Sequence, residues 1–541
     1  MASAKQTSPF FQPIIRVSIR RVNKSMTVQF THKPAALFCH RDLPGCRADR
    51  IPITDQISGC TLRRTTKSPV PVKSLLTKSK LTGALCARLI TVTTTLDQLL
   101  AGQLTGTQRL KLACGLREFP REIFDLADTL EILDLAGNAL SSLPDDLPRL
   151  KKLRIIFCSD NQFTELPEVL GQCEQLSMVG FKANRIRTVS GRSLPPALRW
   201  LILTDNEIET LPPEIGNCSQ LQKLMLAGNR LQTLPVELTA CTRLELIRLA
   251  ANQLTALPAA LLMLPRLSWL AYAGNPFTAR LEAAALTETP IAEMQWDALE
   301  LHHQLGEGAS GVIHRAADRN HSEDTRHVAV KLFKGDVTSD GLPHCEMAAC
   351  INAGAHPNLI PVLGKLKDHP AGSDGLIMEL IAPQFRNLAG PPSLDSCTRD
   401  IYNNDTRFDF PSALSIAHGI ASAARHLHRQ GIMHGDLYAH NILHCGQGRA
   451  LLGDFGAASF YARDDEALAP LLERIEVRAF GCLLEELIER IDGRESEPDI
   501  LAALLRLQAA CFGTAVVARP SFEEIVEELS ALRGSQGSLG V

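Results

Sequence analysis

Asparagines stand at positions 138, 161, 184, 206, 229, 252 and 275, at intervals of 23, 23, 22, 23, 23 and 23 residues. So regular a period leaves few folds open: each unit must be one turn of a stack that buries its apolar side against its neighbours. Around each asparagine runs L-x-x-L-x-L-x-x-N-x-L, as in Leu130-Glu131-Ile132-Leu133-Asp134-Leu135-Ala136-Gly137-Asn138-Ala139-Leu140. A Leu-Pro pair follows in most units, at Leu143-Pro144, Leu166-Pro167, Leu211-Pro212, Leu234-Pro235 and Leu257-Pro258, and a degenerate unit around Leu110-Lys111-Leu112 and Phe119-Pro120 starts the stack. The alternating leucines predict a short parallel strand in each turn. The asparagine side chain bonds backbone groups that the turn leaves unpaired, so that repeated asparagines form a ladder.

This pattern resembles the leucine-rich repeat family, whose periods run 20–29 residues, and the resemblance covers residues 105–277. It implies an α/β solenoid in which leucines and asparagines have structural roles. Binding then falls to the variable strand positions of the concave face: Ile132, Asp134, Phe157, Ser159, Lys182, Thr204, Met225, Arg248 and Tyr272. Their mixed, weakly charged character suits a protein or peptide partner better than a polyanion.

A second set of motifs follows in a fixed order. Gly306-Glu307-Gly308-Ala309-Ser310-Gly311 lies between two predicted strands, Leu299 to Gly306 and Val312 to Ala317. Glycines let a backbone close over phosphates and present N–H donors without a Cβ clash. Val328-Ala329-Val330-Lys331 reads as a strand ending in a lysine. Pro343 to Cys350 reads as a helix carrying Glu346, and His356-Pro357-Asn358 as a turn after it. His434-Gly435-Asp436-Leu437-Tyr438-Ala439-His440-Asn441 and Asp454-Phe455-Gly456 complete the series.

Singly these are weak; together they resemble the protein kinases, specifically the tyrosine-kinase-like serine/threonine kinases, over residues 297–533. Arg519-Pro520-Ser521-Phe522 belongs to the same resemblance. It implies a two-lobed α+β domain that binds ATP and Mg²⁺. Gly306, Glu307, Gly308 and Gly311 would cover the phosphates, while Ile313 and Ala329 would meet adenine and Glu379 and Ile381 hold it through the backbone after Met378. Lys331, paired with Glu346, would reach the α- and β-phosphates. Asp436 would orient the acceptor hydroxyl and take its proton, and Asn441 and Asp454 would hold the metal, a hard cation that prefers oxygen ligands.

Four departures qualify the resemblance. Gly435 replaces the arginine that meets a phosphorylated activation loop, the non-RD type. Tyr438 stands where serine/threonine kinases keep a lysine near the γ-phosphate, and Glu476 replaces an aspartate. Only 21 residues separate Asp454 from Glu476, with no Ala-Pro-Glu between them. Three readings follow: a working serine/threonine kinase whose repeats recruit a partner or regulator, a catalytically weak scaffold, or a small-molecule kinase of the His-Gly-Asp type.

Charge divides the chain. Residues 1–90 carry 16 Lys and Arg against Asp42, Asp49 and Asp55, which leaves 40 basic against 56 acidic residues for 91–541. An acidic body argues against a nucleic-acid surface. The basic, Ser/Thr-rich first 92 residues are expected to be disordered, with organelle targeting as an alternative role. No apolar stretch is long enough to span a membrane, and a cytoplasmic location is expected. The fifteen cysteines show no paired spacing and read as buried thiols. Residues 278–296 are expected to link the modules, and 534–541 to form a tail.

Overall fold

The asparagines do build a ladder. In a computed structural model that describes residues 16–22, 25–31, 95–319, 326–335 and 337–537, Asn229 Nδ2 donates to the carbonyls of Leu203 and Leu226, both at 2.9 Å. Its Oδ1 accepts from Ile208 N at 3.1 Å. Asn252 repeats the arrangement one turn later with Leu226 O at 2.9 Å, Leu249 O at 3.0 Å and Leu231 N at 3.1 Å. Each amide thus satisfies its own turn and the one before, which removes the penalty of burying those backbone groups.

The turns stack eight three-residue strands into one parallel sheet: β3 (Arg109–Lys111), β4 (Ile132–Asp134), β5 (Ile155–Phe157), β6 (Met178–Gly180), β7 (Trp200–Ile202), β8 (Lys223–Met225), β9 (Leu246–Arg248) and β10 (Trp269–Ala271). The central residue of each strand points into the solenoid, as with the fully buried Leu201, Leu224, Ile247 and Leu270. Most Leu-Pro pairs lead into short 3-10 helices on the outer side, the proline fixing the entry angle at Pro167, Pro212 and Pro235. Helix α1 (Thr95–Leu100) lies at the start of this unit and buries Leu99.

Preceding it, β1 (Arg16–Val22) and β2 (Ser25–Thr31) pair antiparallel within a unit of their own, Met1–Val92. The rest of the extension expected to be disordered lies outside the described residues.

Residues 278–296 are not a free linker. They form helix α2 (Ala279–Glu288) and strand β11 (Glu293–Gln295), which pairs parallel with β15 (Val362–Lys367). β11 is the outer strand of a six-stranded sheet, ordered β11-β15-β16-β14-β13-β12, with β12 (Leu299–Glu307), β13 (Gly311–Asp318), β14 (Arg326–Phe333) and β16 (Gly375–Glu379). Helix α3 (Pro343–Asn352) belongs to this first lobe. The second lobe is built on α4 (Phe410–Arg429), α5 (Ala469–Glu489), α6 (Pro498–Cys511) and α7 (Phe522–Gly537). Asp409 caps α4 by accepting from Ser412 N at 2.8 Å. The His356-Pro357-Asn358 turn joins the lobes, Asn358 Nδ2 donating to Ala450 O at 2.8 Å.

Repeats and lobes share their cores. Met225, Leu246 and Trp269 of the repeats sit in the same apolar cluster as the α3, α4 and α5 side chains. Met433, Leu472 and Ile475 from the second lobe are packed into the cluster of the solenoid. Residues 93–541 therefore form one unit, and burial of this kind, at ~25 cal/mol per Å² of apolar surface, is what holds it.

Candidate active site

β12 and β13 are joined by the glycine turn, and the turn roofs a cavity of ≈ 150 Å³. Gly308, Ser310, Gly311 and Ile313 line it from above, Lys331, Glu346 and Met378 from the sides, and Asp454 and Phe455 from below. At Gly311 an added Cβ would stand 2.6 Å from Leu332 O, so β13 can approach β14 this closely only without a side chain. Lys331 Nζ and Glu346 Oε1 are in direct contact, both nearly buried. Burial opposes the charge on Lys331, yet Glu346 and Asp454 facing it raise its proton affinity above the ordinary lysine value. Burial pushes the Glu346 carboxyl up against the pull of the lysine; with two carboxylates on one ammonium, the charged lysine is the state the geometry favours.

The remaining residues expected at the nucleotide do not line the cavity. Ala329 is buried on β14, in register with Met378, and Gly306 pairs with Ile313. Glu307 turns outward to Lys334 at 2.7 Å. Glu379 ends β16, its N–H donating to Pro361 O at 3.0 Å, and Ile381, partly buried, follows it in the chain.

Below the cavity lies the loop from His434 to Asn441. Asn441 Nδ2 donates to Asp436 Oδ2 at 2.7 Å and to Asp436 O at 3.0 Å, which leaves the Asn441 amide oxygen available. Asp454 is exposed with φ +56°, accepting from Gly456 N at 3.2 Å. An amide oxygen and a carboxylate are hard donors that suit Mg²⁺ bridged to phosphate. Glu476, fully buried on α5, holds the loop from beneath: it accepts from Gly435 N at 2.7 Å and His434 N at 3.3 Å, with His428 Nε2 2.9 Å away. The longer glutamate thus reaches the loop where the family pattern has aspartate.

What the sequence did not foretell is that the repeats complete this site. Arg248, at the end of β9, is 2% exposed. Its guanidinium donates to Asp340 Oδ1 at 2.7 Å, to Gly435 O at 3.0 Å, and to Asp436 Oδ1. Burial pushes the Asp436 carboxyl up, but Arg248, His440 and His434 more than offset this and leave it below the ordinary aspartate value. One turn on, Trp269 stacks on Tyr438 with ring centres 4.2 Å apart and planes 7° from parallel, and its Nε1 donates to Leu437 O at 3.2 Å. Tyr272 N donates to Ser459 Oγ at 3.0 Å, and Arg519 donates to Pro265 O at 2.7 Å. Of the concave-face candidates, Met225, Arg248 and Tyr272 are therefore buried within the molecule, as is Thr204. Asp134 is paired to Lys111 at 2.9 Å, while Ile132, Phe157, Ser159 and Lys182 remain partly exposed. The signals that something covers the loop were Gly435, Tyr438 and the short stretch to Glu476.

Known proteins resemble the chain in two parts. The family described as protein tyrosine and serine/threonine kinase matches residues 299–479. Leucine-rich repeat families match 129–150 and 196–254. Fibroblast growth factor receptor 1 of Pleurodeles waltl is 26% identical over 297 residues, 46% of this chain and 36% of the receptor. Serine/threonine-protein kinase TNNI3K of Mus musculus is 27% identical over 178 residues, 32% of this chain and 19% of that protein. The chain thus spans little more than a third of the length of the receptor and less of the kinase. A leucine-rich repeat protein of Leptospira interrogans matches at 31% identity and a TM-score of 0.32, covering 34% of this chain and 48% of that one. No described helix is long and apolar enough to cross a membrane. Residues 299–479 thus belong to the protein tyrosine and serine/threonine kinases, and the coils before them are leucine-rich repeats.

Proposed function

We propose that this chain transfers the γ-phosphate of ATP to a serine or threonine hydroxyl of a protein. One observation carries the reading: Lys331, Glu346 and Asp454 line a single cavity beneath the glycine turn, with Asp436 and Asn441 bonded to each other in the loop below. Lys331, fixed by Glu346, positions the α- and β-phosphates. Asn441 and Asp454 would hold Mg²⁺, and the bound ion would supply charge neutralisation for the transferring phosphoryl group. Asp436 orients the acceptor oxygen and accepts its proton as the bond to phosphorus forms. A scaffold without chemistry would not need these five groups together. The serine/threonine preference rests on the tyrosine-kinase-like ending at Arg519-Pro520-Ser521-Phe522 and on the relative named a serine/threonine kinase.

The partly exposed positions Ile132, Phe157, Ser159 and Lys182 on the first coils are the proposed place for a protein partner. The test is transfer of labelled phosphate from ATP with Mg²⁺ to casein. Lys331→Met and Asp436→Asn should each abolish label, while Asp436→Asn keeps its affinity for ATP. Undiminished transfer in either variant would remove that residue from the reaction.

A further inference from the structure

We infer that Arg248 is a positioning residue of the phosphoryl-transfer site, a cation supplied by the repeats to a catalytic loop that has neither the arginine nor the lysine of the family pattern. The inference rests on the kinase reading above and adds to it the part played by the repeats. Two features of the loop point to this arginine. Tyr438 occupies the position where the family pattern puts a lysine, and its ring is taken up by Trp269, 4.2 Å away. Gly435 occupies the position of the family's arginine, and it has φ +73°. A Cβ there would lie 2.5 Å from Leu270 O of β10 and 2.6 Å from Ala457 O, so docking of the repeats requires that this position have no side chain. The two cations missing from the loop and the docked repeats are thus one arrangement.

Arg248 replaces them from the other side. With Asn441 on Asp436 Oδ2 and Arg248 on Oδ1, both carboxylate oxygens are fixed and the charge on Asp436 has a partner. The third contact, to Asp340, reaches the turn that leads into α3, the helix of Glu346. Arg248 therefore ties the first lobe to the catalytic loop of the second, as a bidentate, always charged side chain is suited to do. The short segment between Asp454 and Glu476 leaves the surface that Trp269, Leu270 and Tyr272 cover, so the last coils stand where a longer segment would otherwise brace the loop.

The test compares the full chain with Arg248→Met and Arg248→Lys, following kcat and KM for transfer from ATP to casein. Arg248→Met should lower kcat by on the order of 10²-fold, the effect of a misplaced reacting group, with KM for ATP little changed. Arg248→Lys should recover part of kcat at an unchanged KM, including where Arg248→Met folds poorly. A kcat unchanged or raised in Arg248→Met, or a lysine variant no better than methionine, would overturn the inference and leave the kinase reading intact. A wild-type chain that transfers nothing while Arg248→Met does would make the arginine a lock instead. No transfer by any form would overturn the kinase reading, and this inference with it.

Discussion

Truncating Trp269 should weaken the repeats and the kinase domain together. The side chain is 1% exposed, lies flat against Tyr438 and donates to Leu437 O. Removing a buried tryptophan costs about 3–5 kcal/mol. Within that, the ring pair contributes ~0.5–1.5 kcal/mol beyond its area, and the indole hydrogen bond ~1 kcal/mol. The ring term is shared with Tyr438, so a cycle of Trp269→Ala, Tyr438→Ala and the double variant should give a coupling of ~1 kcal/mol, typical of residues in contact. The assay is urea unfolding followed by far-ultraviolet circular dichroism. Tyr438→Phe serves as a control: the hydroxyl is buried without a hydrogen-bond partner, so its removal should leave stability unchanged or raised. Two results would refute the reasoning. One is a coupling below ~0.3 kcal/mol, the level of independent sites. The other is a two-step transition in which Trp269→Ala moves only one step, for then repeats and lobes unfold separately.

Two further predictions concern the loop that the repeats cover. Gly435→Ala should lower the melting temperature clearly, since the left-handed backbone costs about 1–2 kcal/mol and crowding against Leu270 O and Ala457 O adds ~1–3 kcal/mol; an unchanged melting temperature would deny the close approach. For Glu476, burial pushes the carboxyl up, but His428, His434 and the Gly435 N–H more than offset this and hold it below its ordinary value. Its ionised form therefore adds stability above about pH 4.3, the unfolded value, and that contribution fades as pH falls through the folded value. The stability gap between wild type and Glu476→Gln should shrink from pH 7 toward acid, and a gap that widens there would reverse the assignment.

The sequence reveals the modules far better than their union. The asparagine period is a local signal, since each turn is fixed by residues one coil apart, and the ladder followed from it. The kinase motifs are likewise short, and the structure sets Lys331, Glu346 and Asp454 around one cavity and bonds Asn441 to Asp436. Arg248 could not be read in the same way. It sits at a variable strand position, and its partners Asp340 and Asp436 lie 92 and 188 residues away. Nothing periodic marks such a contact. The hints came from what the loop lacks, at Gly435 and Tyr438, and a missing side chain does not name its replacement. Residues 278–296 misled for another reason: their charged surface suggests a tether, whereas α2 packs on α3 through Asn352 Nδ2, which donates to Ala285 O at 2.7 Å, and β11 joins the sheet by backbone bonds that any side chain permits.

That connector bears on how the chain can be taken apart or rearranged. Because β11 is a strand of the first lobe's sheet and α2 is packed on α3, the passage from repeats to kinase contains no slack to be cut. Removing the coils would bare Met433, Leu472 and Ile475 and strand Asp436 beside an empty place, so a truncated kinase is a different molecule rather than a smaller one. By the same token the two modules cannot be traded as independent cassettes: a foreign array grafted before Leu299 would need its own arginine and tryptophan at the right coils. Any change in the number of repeats is tolerable only at the far end, where β3 to β6 stand clear of these contacts, and lineage variation in array length should be confined there.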